Sequence, residues 1–277
     1  LYAVQKKAVQ LTFHRCDGST WQKTTLAKGS SYSLPGVRDA EGYTFMGWST
    51  KPMQSVSPQY EAEEKITVNG NVDLYAVVFN RTTETDLTED QLPQVDIYKY
   101  KQVIFVGDSR TEFMENVLTG MGESATKNVK FVCSAGKGLD WFTTTGWAQL
   151  YSIVQHDSNS ILSKKTAVIF NFGVNDLSKS ADYAEYYSWI APQLKSKGCE
   201  LYFMSVNPVN RLMLPNAGRA DRSEAAVRSF NQYMKANLSS AYTYIDMYSY
   251  LKSTGYSFAS DHYGTGTVDD GLHYTTR

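Results

Sequence analysis

The chain has 277 residues, enough for one large domain or two ordinary ones, and a hydrophobic content of 42% allows a substantial core. A net charge of −1 without basic runs argues against binding to nucleic acid or to an anionic membrane surface. No apolar run is long enough to span a bilayer, so no membrane insertion is expected. Because the chain begins at Leu1 rather than Met, we expect a processed or excised fragment of a longer protein. The absence of a signal peptide therefore does not indicate where the protein is located.

The cysteines predict no metal centre. Cys16, Cys133 and Cys199 are far apart and belong to no Cys/His pattern with metal-binding spacing. Cys133 and Cys199 adjoin apolar runs, which predicts buried structural thiols. We therefore expect neither a metal nor an organic cofactor.

A repeated tetrapeptide marks the N-terminal part of the chain. LYAV occurs at residues 1–4 and again at residues 74–77. Such internal similarity predicts that residues 1–4 close one copy of a repeat and that a complete copy follows, ending at residue 79. Within it, VQLTFH and VDLYAVVF alternate apolar and polar residues as half-buried strands do. The segment GYTFMGW places Tyr43, Phe45 and Trp48 around Gly47, which predicts the aromatic core of a small β domain.

Over about residues 8–79, this copy resembles the Listeria–Bacteroides repeat, a β-grasp-like module found in tandem on bacterial surface proteins. The resemblance implies a spacer or interaction unit with surface or cell-wall partners, and an extracellular or cell-surface location. Residues 80–96 are polar, acidic and rich in threonine, which predicts a linker. A second domain is then predicted over residues 97–277.

Short apolar runs alternate with amphipathic stretches in this second domain. Strands are predicted at residues 102–107, 129–134, 166–173, 200–206 and 243–248. Helical stretches are predicted at residues 111–120, 139–155, 181–197 and 221–238. Near-continuous Val, Ile, Phe and Tyr are typical of parallel strands covered on both faces. The alternation predicts an α/β domain with a doubly wound sheet, whose sites lie beyond the carboxyl ends of the strands.

Ser109 follows the first predicted strand, at a turn into a helix. A serine in that place also serves as a helix cap, so the tripeptide GDS alone does not identify a nucleophile. A nucleophilic serine needs a base and an acid that orients the base. Asp270 and His273 are three residues apart, and one helical turn would place them on one face.

An oxyanion formed at this serine would need preorganised hydrogen-bond donors. The backbone N–H groups of Ser109 and Gly138 and the side-chain amide of Asn175 are candidates, because each follows a predicted strand. All the parts of acyl-transfer chemistry are therefore expected at one edge of the sheet.

The order GDS, then Gly, then GxND, then DxxH resembles the SGNH (GDSL) hydrolase superfamily over essentially the whole second domain. The resemblance implies a flavodoxin-like parallel sheet. It also implies Ser109 as the nucleophile, His273 as the base and Asp270 as the orienting acid. Gly138 and Asn175 complete the oxyanion hole with the Ser109 N–H.

Some assignments stay open. Gly136 competes with Gly138 for the oxyanion role, although Gly138 fits the family spacing better. Asp269 competes with Asp270, although the usual spacing favours Asp270. The pair at residues 261–262, Asp-His, lacks the three-residue offset and is expected to line a loop.

Two further acidic residues are predicted to support the site. Asp108 is expected to order the loop beside Ser109, and Asp176 the loop that holds Asn175. Arg110 is interpreted either as a substrate contact or as a surface charge. The chain ends four residues after the DxxH block, where many relatives continue into a final helix, which suggests a trimmed C-terminus.

The family hydrolyses carboxylic esters. A surface repeat as neighbour, with Trp141 and Trp147 expected to be exposed for glycan contact, suggests an extracellular esterase. We expect it to cleave short-chain O-acyl groups, acetyl above all, from glycans. The alternatives are a lipase or acyl-thioesterase of the same fold, and a surface adhesin that binds glycan without turnover.

Overall fold

The computed structural model describes residues 7–40, 42–80, 100–122, 127–157, 165–214, 222–256, 258–260 and 269–274. They form a small β domain, which ends at Asn80, and an α/β domain, which begins at Tyr100. Residues 1–4 and residues 81–96 of the predicted linker lie outside the described residues.

The first domain is built of six strands. They are β1 (Ala8–His14), β2 (Thr20–Ala27), β3 (Ser30–Ser33), β4 (Tyr43–Ser49), β5 (Lys65–Val68) and β6 (Val72–Asn80). Four of them form a sheet in the order β2-β1-β6-β4, in which β1 and β6 run parallel and the other neighbours run antiparallel. β3 and β5 form a separate antiparallel pair. The predicted small β domain is confirmed.

Trp48 lies at the centre of this domain. It is fully buried, and its ring packs against Phe13 at 4.8 Å and Phe45 at 5.4 Å between centroids. Gly47 has a φ of +141°, and a Cβ there would lie 2.5 Å from a backbone carbonyl, so the irregularity in β4 before Trp48 requires glycine. The predicted aromatic core is therefore correct for Phe45 and Trp48. It is wrong for Tyr43, which is 42% exposed at the first position of β4.

The second domain contains a five-stranded parallel sheet. Its strands are β7 (Tyr100–Gly107), β8 (Val129–Cys133), β9 (Lys165–Asn171), β10 (Cys199–Met204) and β11 (Tyr242–Ile245). They lie in the order β11-β10-β9-β7-β8, so the chain winds outward from β7 in both directions. This is the predicted doubly wound, flavodoxin-like arrangement, with each strand within a few residues of its predicted range.

Helices connect these strands. They are α1 (Ser109–Gly120), α2 (Trp147–Asp157), α3 (Ser180–Ser196), α4 (Glu224–Asn237) and α5 (Met247–Thr254). A helical turn at Leu139–Trp141 and a π-helical segment at Phe142–Gly146 lead directly into α2. The four predicted helical stretches are confirmed, while the short α5 was not predicted. Within the part of the chain that the structure describes, no helix has the length and apolar content needed to cross a bilayer.

A two-stranded antiparallel hairpin closes the described chain. It consists of β12 (Phe258–Ser260) and β13 (Asp269–Tyr274). The segment DDGLH therefore lies in a strand, and the predicted helical turn from Asp270 to His273 is wrong.

The two domains pack against each other through a buried lysine. Lys252, on α5, places its Nζ 2.8 Å from Glu61 of the first domain and 3.2 Å from Glu224 of α4. It also donates to the backbone carbonyl of Met46 on β4 at 2.8 Å. Burial alone would lower the pKa of Lys252, but the carboxylates of Glu224 and Glu61 outweigh it and hold the pKa above its ordinary value.

An apolar cluster surrounds the same interface. Met46 and Val77 of the first domain are fully buried and pack with Tyr256 and Phe258 of the second. The rings of Tyr256 and Phe258 lie 5.4 Å apart between centroids. The first domain thus shares a hydrophobic core with the segment that leads into the final hairpin.

Replacing Lys252 with methionine is expected to lower the free energy of unfolding by about 3–5 kcal/mol, because two buried carboxylates lose their counter-charge. While Glu61 and Glu224 are ionised, the raised pKa of Lys252 keeps this stabilisation in full below pH 10.5, and it is lost as pH rises through the higher folded value. Urea denaturation at pH 7, followed by tryptophan fluorescence, measures the change. Lys235→Met is the matched control, since Lys235 forms an exposed pair with Asp246. Equal effects of the two changes would contradict a buried ionic contact.

Candidate active site

The carboxyl ends of three neighbouring strands define the site. Gly107, the last residue of β7, lies in register with Cys133 at the end of β8 and with Asn171 at the end of β9. The loops that follow these strands therefore leave the sheet at one edge. Ser109 begins α1 directly beyond Gly107, so it lies between the other two loops.

Three of the predicted site residues form a continuous hydrogen-bonded chain. The Nε2 atom of His273 lies 2.8 Å from the Oγ atom of Ser109, and its Nδ1 atom lies 2.5 Å from the Oδ2 atom of Asp270. Because a carboxylate only accepts hydrogen bonds, Nδ1 carries the proton and Nε2 accepts from the serine hydroxyl. Ser109 is 3% exposed and His273 is 1% exposed. The structure thus brings the predicted nucleophile, base and acid into contact.

The Asp270 side chain also shapes the backbone that carries His273. Its Oδ1 atom accepts hydrogen bonds from the N–H groups of Leu272 and His273, each at 2.8 Å. Gly271 between them has a φ of +71°, a left-handed conformation that favours glycine. An aspartate turn within β13, rather than a helical turn, therefore brings Asp270 and His273 together, since aspartate competes for nearby backbone N–H groups.

Asp108 and Arg110 form a buried ion pair beside Ser109. Asp108 is fully buried, and its two oxygens accept from Nε and Nη2 of Arg110 at 3.0 and 2.9 Å. Asp108 also caps α1 by accepting from the Arg110 backbone N–H at 3.1 Å. The interpretation of Arg110 as a surface charge is wrong, because its side chain is buried and neutralises the Asp108 cap.

Asp176 connects the loops that follow β8 and β9. Its carboxylate accepts from the Leu139 N–H and from the Tyr183 hydroxyl, both at 2.8 Å. Burial raises the pKa of Asp176, while these two hydrogen bonds act in the opposite direction. A Cβ at Gly138 would clash with this carboxylate, whereas a Cβ at Gly136 would meet nothing. The close approach thus requires glycine at position 138.

Asn175 is oriented by contacts on both sides of its amide. Its Nδ2 atom donates to the Lys137 carbonyl at 2.8 Å, which places the amide beside Gly138. Its Oδ1 atom accepts from Nη2 of Arg222 at 2.7 Å, and Nε of Arg222 donates to the Val174 carbonyl at 3.1 Å. Arg222 was not predicted from the sequence, since no motif connects it to a residue 47 positions earlier.

Other residues singled out in the sequence have ordinary structural roles. Trp141 and Trp147 are partly buried and pack against the main core, so the expectation that they are exposed is wrong. Cys199 is buried as predicted, but Cys133 is only half-buried, and its thiol donates to Glu115 at 3.1 Å. Burial, together with the adjacent carboxylate, raises the pKa of Cys133.

Other positions fall outside what the structure describes. The residues at 261–262 lie outside the described chain, as does the side chain of Asp269. Among the residues that are described, no group of three or more His, Cys, Asp or Glu side chains could hold a metal ion.

Comparison with known families identifies the first domain. Residues 10–77 match the family model of the Listeria-Bacteroides repeat domain. This match confirms the predicted repeat. The repeat domain belongs to a family typical of bacterial surface proteins. No curated protein matches the chain significantly in sequence.

Several solved structures are distantly similar to the chain. A candidate acylhydrolase from Bacteroides fragilis is 18% identical with a TM-score of 0.41, covering 68% of this chain and 84% of its own. A candidate SGNH hydrolase from Slackia heliotrinireducens is 14% identical with a TM-score of 0.42, covering 64% and 91%. The YXIM protein of Bacillus subtilis is 13% identical with a TM-score of 0.34, covering 89% and 88%. Because these sequence identities and TM-scores are low, the chemistry that the site can perform is inferred from its own residues.

The substitution Gly138→Ala is expected to lower the free energy of unfolding by about 1–3 kcal/mol, because the new methyl group displaces the Asp176 carboxylate. Gly136→Ala is the matched control. It adds a methyl group in open space and costs only the roughly 1 kcal/mol penalty of a left-handed alanine. Chemical denaturation of both variants checks the difference, and a Gly138→Ala variant as stable as the control would contradict the close approach.

Proposed function

We propose that the α/β domain is a serine ester hydrolase of the SGNH type. The observation that carries the proposal is the hydrogen-bonded chain from Ser109 through His273 to Asp270, with distances of 2.8 and 2.5 Å. A serine, a base and an orienting acid in that order are the parts of nucleophilic acyl transfer. Their position beyond the strand ends is where α/β domains place their sites.

In the first half of the reaction, the Oγ atom of Ser109 attacks the acyl carbon while Nε2 of His273 takes the hydroxyl proton. The resulting imidazolium is stabilised by Asp270 and gives its proton to the leaving alcohol oxygen, so the ester C–O bond breaks and an acyl-enzyme remains. A water molecule then attacks the acyl carbon, again with His273 as the base, and releases the carboxylic acid and Ser109.

The oxyanion of the tetrahedral intermediate is stabilised by three donors. The Ser109 N–H lies in the first turn of α1, where the helix dipole favours negative charge. The Gly138 N–H is held close to the third donor, since the Asn175 amide bonds to the neighbouring carbonyl of Lys137. An amide nitrogen carries two hydrogens, and the second one of Asn175 serves the oxyanion while Arg222 fixes the plane of the amide.

The substrate is a short-chain O-acyl ester, acetyl above all, on an extracellular glycan. The repeat domain supports a location on or outside a bacterial cell. A lipase or acyl-thioesterase of the same fold would instead prefer long chains or thioesters. A glycan-binding adhesin would show no turnover.

Hydrolysis of p-nitrophenyl esters from acetate to octanoate at neutral pH tests the proposal. The protein is expected to prefer acetate, and Ser109→Ala is expected to lower kcat roughly 10⁴- to 10⁶-fold, because no other group forms the acyl-enzyme. Ser188→Ala is the control, because it also removes a serine hydroxyl, but one that donates to a backbone carbonyl within α3.

A preference for octanoate would favour the lipase alternative. A folded protein that is inactive on every ester would favour the adhesin. Activity that survives in Ser109→Ala would contradict the assigned nucleophile.

Asn175→Ala is expected to lower kcat about 10²- to 10³-fold with little change in KM, because the amide acts on charge that develops only in the transition state. Steady-state kinetics on the preferred ester measure both constants. Asn237→Ala is the matched control, since that side chain bonds to a carbonyl one turn earlier in α4. A change confined to KM would assign Asn175 to ground-state binding instead.

A further inference from the structure

A three-residue segment after β10 lies between the repeat domain and the strand that carries His273. In this segment, residues 208–210, the Pro208 carbonyl accepts from the Tyr274 hydroxyl. The Val209 N–H donates to Glu224 at 2.9 Å, and the Asn210 N–H donates to the Gly271 carbonyl at 2.9 Å. The segment therefore holds β13 on both sides of His273.

The contact between Asn210 and Gly271 leaves no room for adjustment. A Cβ at Gly271 would lie 2.5 Å from the Asn210 carbonyl oxygen and 2.8 Å from Cβ of Met213. Gly271 is also the central residue of the aspartate turn that sets the direction of the His273 ring. A displacement of Asn210 is therefore transmitted to His273, because closely packed atoms move together.

The side chain of Asn210 is held by the repeat domain. Its Nδ2 atom donates to Oδ1 of Asp39 at 2.8 Å and to the Val37 carbonyl at 3.1 Å. Asp39 is itself fixed, because the same Oδ1 atom accepts from the Phe45 N–H on β4 at 2.9 Å. A hydrogen bond to a carboxylate is stronger than one between neutral groups. A path of defined contacts thus leads from β4 through Asp39, Asn210 and Gly271 to His273.

We propose that Asp39 is a positioning residue for His273 and acts through Asn210, so the repeat domain is part of the hydrolase machinery rather than a spacer. This inference rests on the proposed function. Asp39 touches neither substrate nor the reacting atoms. Its effect is to hold the imidazole within hydrogen-bonding distance of Ser109, where small displacements are costly to rate.

The test compares Asp39→Ala with Asp39→Asn in the full chain. Asparagine retains the Oδ1 acceptor for both N–H groups, whereas alanine removes it. The first readout is the rate of covalent labelling of Ser109 by a fluorophosphonate. In that reaction the serine oxygen bonds to phosphorus, fluoride leaves and His273 takes the proton.

Asp39→Ala is expected to slow labelling and to lower kcat on the preferred ester about tenfold, with KM unchanged, because the site is misaligned but still present. Asp39→Asn is expected to restore both rates to within about threefold, because the acceptor is regained. Asp39→Ala/Asn210→Ala is expected to label no more slowly than Asp39→Ala, since residues on one path are not additive.

Arg228→Ala is the control for general loosening of the domains, because Nη1 of Arg228 donates to the Ala62 carbonyl across the same boundary at 2.9 Å. It is expected to label at the wild-type rate. The inference is overturned if Asp39→Ala labels at the wild-type rate, if Arg228→Ala is slowed equally, or if Asp39→Asn gives no rescue. Circular dichroism melting checks that each variant is folded at the assay temperature.

A second readout needs no reaction. In protein labelled with ¹⁵N-histidine, the Nδ1 proton of His273 should resonate far downfield because of its short bond to Asp270, and His273→Gln assigns it. Asp39→Ala should shift or broaden this signal, and Arg228→Ala should not. If the wild-type protein is not labelled but Asp39→Ala still changes the His273 signal, the hydrolase function is refuted. The path of contacts from Asp39 to His273 is then supported on its own. An unresponsive signal would refute the path itself.

Discussion

The hydrogen bond between His273 and Ser109 joins two segments 164 positions apart, and the rest of the site is arranged to keep it. On the serine side, the parallel sheet fixes Gly107 against the ends of both neighbouring strands, and the buried Asp108–Arg110 pair holds the first turn of α1. On the histidine side, fewer contacts hold the strand that carries the residue. β13 pairs only with β12 among the described strands, so its position depends on the segment at residues 208–210 and on the repeat domain behind it.

The contact between the domains combines two kinds of interaction with different consequences. Met46, Val77, Tyr256 and Phe258 exclude water, which supplies a nondirectional attraction. Lys252 and its two carboxylates supply direction, because a charge buried in an apolar setting is tolerated only where its partners meet it closely. The apolar cluster favours contact in general, whereas the ionic cluster allows essentially one mutual orientation. Because the ionic cluster fixes this orientation, the repeat domain can hold β13 of the α/β domain in one position.

Much of the fold could be predicted from sequence, because its signals are local. Continuous apolar runs gave the five parallel strands, and the alternating pattern gave the order of elements. Candidate site residues could be selected in the same way, since Ser109, Gly138 and Asn175 each follow a strand. What was not accessible is which of several possible partners a polar side chain contacts. The charge of Arg110 is neutralised by a neighbour two positions away, Arg222 reaches Asn175 from another helix, and Asp270 uses an aspartate turn that spacing alone cannot distinguish from a helical one.

The shared lysine also limits how freely the modules can be exchanged. A tandem repeat is usually regarded as interchangeable, since each copy needs only its own aromatic core, such as the one around Trp48. The copy described here carries a second set of requirements, because Glu61 must meet Lys252 and Asp39 must meet Asn210. A chimera that grafts a copy without these two carboxylates onto this α/β domain would fold as a repeat and still mismatch its neighbour. Sequence drift at Glu61 and Asp39 is therefore constrained by a domain to which neither residue belongs.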